Sequence, residues 1–195
     1  LVVVDEAYLD LTDVLGYFRC LAAELGRRLQ SRIRADLGLP VTIGIGPNKL
    51  IAKLLADLAK PAGVREIRAK DVPALLEQTP AKNLCGIGSR LDAALAAMGV
   101  ATVADLGRLP LEILLDRFGV IGWTLQRMGR GLDDTPVRLP SESDPIKSVG
   151  HAHTLPYDCA DPVIIRSFLL LLAEKVSARL RRYGLAGCVV HVTIR

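Results

Sequence analysis

The first ten residues, Leu1-Val2-Val3-Val4-Asp5-Glu6-Ala7-Tyr8-Leu9-Asp10, constrain the chain more than any other stretch. Four apolar residues, three of them β-branched, predict a buried strand. That strand delivers two adjacent carboxylates at its end. Ala7, Leu9 and Leu11 then alternate with Tyr8, Asp10 and Thr12, which suits a half-buried return strand. Neighbouring residues of a regular strand point to opposite faces, so Asp5 and Glu6 converge on one cation only where the pleat breaks, at a turn or bulge. A polar turn between two strands is the plain reading of the pair, and a hard-cation site is the chemical one.

The rest of the chain decides how those carboxylates are to be read. Tyr17 to Leu37 has helical periodicity, with Phe18, Leu21, Leu25, Leu29 and Ile33 on one side and arginines on the remainder, and Gly38-Leu39-Pro40 stops it. Val41 to Gly46 reads as a strand ending in small residues, and Pro47-Asn48 opens a helix that runs to Lys60 before Pro61. At about 100° per residue, Lys49, Lys53 and Lys60 fall within about 40° of one another, while Ile51, Leu54 and Leu58 cluster about 140° to 200° away. The lysines form a stripe opposite the buried stripe. Beside a carboxylate-borne metal, such a stripe is what a triphosphate requires; standing alone, it is a solvated helix face.

Lys82 to Val100 predicts a helix end, a Gly86-Ile87-Gly88 hairpin, and a second helix closed by Gly99, with Thr102 capping the next. Glycines that let a backbone approach closely, followed by a helix N-terminus with free amides, are the physical content of a helix-hairpin-helix that grips a nucleic-acid backbone without reading its sequence. Leu111 to Gly131 is helical again, broken at Phe118-Gly119, with Trp123 read as core. Asp133 to Pro145 carries three prolines and reads as a linker. Ile146 to Leu155 reads as a strand, Pro162 to Tyr183 as a helix and Ala186 to Arg195 as a strand.

The net charge is +4. Six Lys/Arg against two acids from Asp161 onward hold the whole surplus, the footprint of a surface facing a polyanion. Cys20, Cys85, Cys159 and Cys188 have no paired spacing, so free thiols are expected rather than a zinc site or disulfide framework. His151 and His153 would share one strand face without a third ligand, which reads as solvated surface. No apolar run approaches the roughly 18 residues of a membrane span, and no basic-then-apolar leader opens the chain. A cytosolic protein with no membrane partner is expected. Strand patterns at both ends make a fragment the expectation.

With these stretches assembled, the chain resembles the Y-family (translesion) DNA polymerases of the bacterial DNA polymerase IV type. The matching motifs are Asp5-Glu6-Ala7-Tyr8-Leu9-Asp10, Gly44-Ile45-Gly46-Pro47-Asn48-Lys49 through Ala52-Lys53, Asp57 and Lys60-Pro61, Gly86-Ile87-Gly88 with its following helix, and Lys147-Ser148-Val149-Gly150. They stand in the family's order across nearly the whole chain.

The resemblance implies an α/β (α+β) fold: the C-terminal part of a palm over residues 1–70, a helical thumb over 71–140, a linker at 141–145 and the start of a little finger over 146–195. It implies that Asp5 and Glu6 are metal ligands and catalytic carboxylates for two Mg²⁺ ions. It further implies that Lys60 contacts the incoming nucleotide's triphosphate and that Gly86 and Gly88 present amides to primer-template DNA. Lys147 and Ser148 would lie along duplex DNA, with Arg179, Arg181 and Arg182 as further backbone contacts.

Template-directed synthesis past damaged bases is the implied activity. The implied partners are primer-template DNA and dNTP, with a sliding clamp as a further candidate, for a monomer associated with the nucleoid. Val3 stands where the family usually has Ser, and Cys85 where it has Pro; neither change removes a metal ligand. The strand bearing the family's first metal Asp, the fingers and the remaining little-finger strands are missing from the sequence, so the piece alone is expected not to polymerise. The competing expectations are a catalytically silent polymerase-like protein that binds DNA in damage tolerance, and a nuclease-like metalloenzyme with a helix-hairpin-helix.

Overall fold

The computed structural model describes residues 5–18, 20–138 and 146–194. The expected strand over 1–4, the Val3 departure, the 141–145 linker and Arg195 lie outside the described residues. The chain divides into two compact units, Leu1–Val137 and Arg138–Arg195.

The first unit is built on a short βαβ element. Strand β1 (Ile43–Ile45) pairs in parallel with β2 (Val64–Glu66), Ile43 opposite Val64 and Ile45 opposite Glu66. Preceding this element, α1 (Leu15–Phe18) and α2 (Ala22–Leu37) replace the single helix expected from Tyr17, because Leu21 is extended and starts the second helix afresh. Between the strands runs α3 (Lys49–Leu58). Alternation along β1 allots the two faces. A Cβ on Gly26 of α2 would lie 3.1 Å from Ile45 and 3.6 Å from Ile43, whereas one on Gly44 would lie 2.0 Å from the Ala52 carbonyl of α3. Helix α3 therefore sits directly on the backbone of β1. Its N-terminus is capped by Asn48, whose side chain accepts a 3.0 Å bond from the Ile51 amide, and its apolar side buries Leu50, Ile51, Leu54 and Leu55.

Five further α-helices follow among the described residues of the unit: α4 (Val72–Gln78), α5 (Ser89–Ala96), α6 (Val103–Arg108), α7 (Leu111–Phe118) and α8 (Ile121–Gly129). As the sequence predicts, Thr102 caps α6, in a reciprocal box with Asp105, and Gly119 separates α7 from α8. Helices α6 and α8 cross at Gly107 and Gly129, where any side chain would strike backbone. Leu76, Leu84, Ile87, Leu95, Val103, Leu106 and Leu114 form one continuous core with the buried side of α3. Trp123 is not part of it; the ring is half exposed, with the Arg127 guanidinium 4.9 Å from its centre.

In the second unit, α9 (Pro162–Arg182) starts at Asp161, which accepts a 2.8 Å bond from the Val163 amide. Ile164, Phe168, Leu172, Val176 and Leu180 form a half-buried stripe at four-residue spacing. His153 stacks on Phe168 at 5.1 Å.

Residues 7–12, 146–155 and 186–194 are not strands. Their β-rich composition meets no paired neighbour among the described residues, and a strand is a property of a pair. No helix among the described residues is long and apolar enough to cross a membrane.

Candidate functional site

The Glu6 carboxylate and α3 meet. Lys53, one turn into that helix, donates to Glu6 and also to Asp57 at 3.3 Å, four residues on. Asp57 in turn accepts from Lys60 at 2.7 Å. The result is a chain of alternating charges, Glu6, Lys53, Asp57 and Lys60, along one side of α3 and the turn after it. Hydrogen bonding to Glu6, more than any other influence, holds the Lys53 ammonium above its ordinary range. Burial alone would push Asp57 up, but hydrogen bonds from Lys60 and Lys53 outweigh it and hold that carboxyl below its usual range.

The three lysines of the predicted stripe therefore have three different duties. Lys49 leaves the stripe: it donates to the Pro136 carbonyl at 3.1 Å, with its ammonium 5.8 Å from the centre of the Tyr8 ring. Lys53 is spent on the two acids. Lys60, beyond the end of α3 and before Pro61, keeps a largely exposed ammonium tied on one side to Asp57, and of the three it is best placed for a bound anion.

Asn48 adds a second tether, donating to the Gly131 carbonyl at 2.8 Å, so the Pro47-Asn48-Lys49 corner straps the 131–136 segment to the N-terminal end of α3. Burial pushes up the Tyr8 phenol, with Cys85 and Glu6 adding to the effect. Burial likewise pushes up the Cys85 thiol against the pull of Lys53.

Asp5 is exposed and has no partner among the described residues. With Glu6 it supplies two hard carboxylate groups, the donor type Mg²⁺ takes when it is held through one or two carboxylates and completed by substrate phosphates. Among the described residues no cluster of three or more His, Cys, Asp or Glu could enclose an ion without such help. The pair fits an ion shared with phosphate and does not fit a closed structural site.

Gly86 and Gly88 occupy the predicted hairpin. Gly86 has φ +89°, the left-handed region that favours glycine. Gly88 is extended and precedes α5, and a Cβ at either position would meet nothing within 4 Å. Both backbones face open space. In the second unit Lys147 and Ser148 are exposed on an irregular segment. Arg179 is committed to the Gly150 carbonyl at 3.0 Å, while Arg181 and Arg182 are exposed in the last turn of α9.

Asp57 is the residue whose part sequence reasoning missed. Its spacing, four residues after Lys53 and three before Lys60, is the signal for helical ion pairs. No sequence signal links Glu6 to Lys53, 47 residues apart.

Residues 2–57 match the model of the impB/mucB/samB family, and residues 146–195 match that family's C-terminal domain, together more than half of the chain. The chain belongs to the impB/mucB/samB family. It is similar to DNA polymerase IV of Moorella thermoacetica, 40% identical over 98% of this chain and 48% of the relative, and to DNA polymerase IV of Pelotomaculum thermopropionicum, 35% identical over 98% and 47%. Among solved structures it is similar to a Y-family DNA polymerase chimera of Dbh and Dpo4 (TM-score 0.70, 28% identity, 85% of this chain and 48% of that one). A second structural neighbour is DinB from Sulfolobus solfataricus (TM-score 0.60, 28% identity, 91% and 51%). The chain spans about half the length of the relatives it matches.

Proposed function

We propose that this chain carries the carboxylate pair and the DNA-holding segments of a DNA polymerase that copies past damaged template bases by nucleotidyl transfer. The observation that supports this best is the ion pair of Glu6 with Lys53 on α3, whose ammonium is shared with Asp57, itself paired with Lys60; one member of the acid pair is thereby set against a cation of that helix. A phosphate chain and a divalent ion need just such mixed charge, in which anionic ligands hold the ion and ammonium groups offset the remaining negative charge.

Asp5 and Glu6 would hold Mg²⁺, which when bound supplies charge neutralisation at the attacking 3′-hydroxyl and at the leaving pyrophosphate. The chain's own groups do the rest. Lys60 binds the triphosphate of the incoming nucleotide. The amides around Gly86 and Gly88 bind the primer-template backbone, and Lys147, Ser148, Arg179, Arg181 and Arg182 follow the duplex. Residues 1–70 then belong to a palm, 71–140 to a thumb, 141–145 to a linker and 146–195 to a little finger. The complete protein works on primer-template DNA with dNTP as a nucleoid-associated monomer, with a sliding clamp as the candidate protein partner.

The test is primer extension by the full-length parent protein with Mg²⁺ and dNTPs, on undamaged and abasic templates, against its Asp5→Ala/Glu6→Ala variant. Extension across the abasic site that disappears in the variant is the expected result. Salt-sensitive binding to primer-template with no extension refutes the enzyme reading and leaves a silent DNA-binding relative.

A further inference from the structure

Glu6 is the member of the acid pair that has a cation already. Lys53 is only 19% exposed and Glu6 36%, so their pair is partly withdrawn from solvent. Lys53 has a second anchor on its own helix, Asp57, and Asp57 is itself supported by Lys60. Lys49, the other ammonium near this corner, is held away at Pro136.

We infer that Lys53 is a placeholder for the divalent ion: its ammonium neutralises Glu6 in the unloaded protein and gives that carboxylate up to the metal, remaining on Asp57. The inference rests on the proposed metal role of Asp5 and Glu6. Two features of the geometry carry it. The Glu6 carboxylate, proposed for the metal, already holds one cation, the partly withdrawn ammonium of Lys53. Because Asp57 holds Lys53 from the same helix, release of Glu6 requires neither a backbone movement nor a stranded half-buried cation. Lys53 is thus a positioning residue, and its presence makes metal binding weaker than the bare carboxylates would allow.

The measurement is a titration of the full-length protein with Mn²⁺, followed by electron paramagnetic resonance in the absence of DNA and nucleotide. Wild type, Lys53→Met, Lys53→Arg and Glu6→Gln are compared. Binding lost in Glu6→Gln defines the site. Lys53→Met is expected to bind Mn²⁺ there about threefold to fivefold more tightly than wild type, the upper part of the range set by loss of one partly exposed ion pair, while Lys53→Arg binds no more tightly than wild type. Lys53→Gln replaces the Met variant should that one melt at a lower temperature. Affinity in the uncharged variants within about twofold of wild type, or weaker, overturns the placeholder role but leaves the metal site standing. No Glu6-dependent binding in any of the proteins overturns the placeholder role in the unloaded protein, while the metal role of Glu6 with phosphate present is read separately from the primer-extension test.

Discussion

The position of Lys53 depends on how closely α3 lies on β1, and Gly44 sets that separation. A methyl group at residue 44 would sit 2.0 Å from the Ala52 carbonyl oxygen and 2.4 Å from the Ala56 nitrogen, against ordinary contact from 3.4 Å. Both obstacles are backbone, so no side-chain rotation relieves them. Helix α3 must retreat by about 1.4 Å, the gap between 2.0 and 3.4 Å. That movement opens the packing of Ile51, Leu54 and Leu55, which are at most 2% exposed.

Overpacking a tight core costs about 1–3 kcal/mol, and rigid backbone on both sides puts Gly44→Ala at the upper end, about 3 kcal/mol. For a unit of this size that corresponds to a fall in Tm of roughly 10–15 °C. The assay is thermal unfolding by far-UV circular dichroism, with Gly88→Ala as the control, since residue 88 is extended and its methyl would meet nothing. A Gly44→Ala protein melting within 3 °C of wild type, a shift of roughly 1 kcal/mol or less by the same conversion, would refute the claim that α3 rests on the backbone of β1.

Two other outcomes are expected. Gly88→Ala leaves Tm unchanged within about 0.5 kcal/mol of stability, yet, on the proposed function, weakens primer-template binding by the full-length protein in fluorescence anisotropy, because the added methyl would stand in the proposed path of the phosphate backbone; unchanged affinity removes Gly88 from the proposed DNA contact. Asp57→Asn destabilises by roughly 1 kcal/mol at neutral pH, a modest figure because Asp57 is a third exposed. Its folded-state value lies below the ordinary 3.8, so the stability it contributes is present above that ordinary value and is lost as pH falls through the lower folded one. The Tm gap between wild type and Asp57→Asn should hold from pH 8 to 5 and close in acid, and a gap that persists undiminished in acid would show that the carboxylate's charge is not what matters.

Much of the local organisation was legible because it depends on neighbours in the chain. Asn48 and Thr102 announce helix starts through caps that reach only three residues ahead, Phe118-Gly119 announces a break, and the apolar positions of α3 select its buried side through their spacing. The same local logic failed wherever the structure depends on a partner. Residues 7–12, 146–155 and 186–194 have the composition of strands, yet no neighbour pairs with them among the described residues. Trp123 looks like core by its chemistry and is instead a half-exposed ring beneath Arg127.

The acid pair divides in the same way. Sequence alone determined that two carboxylates stand together at residues 5 and 6 and that lysines recur along α3, because both are facts of adjacency and helical period. Only the tertiary structure decided that Lys53 takes Glu6, that Lys49 turns away to Pro136, and that Asp57 joins Lys53 to Lys60. Periodicity gives the angle of a side chain around its own helix axis and is silent about what another segment brings to that side.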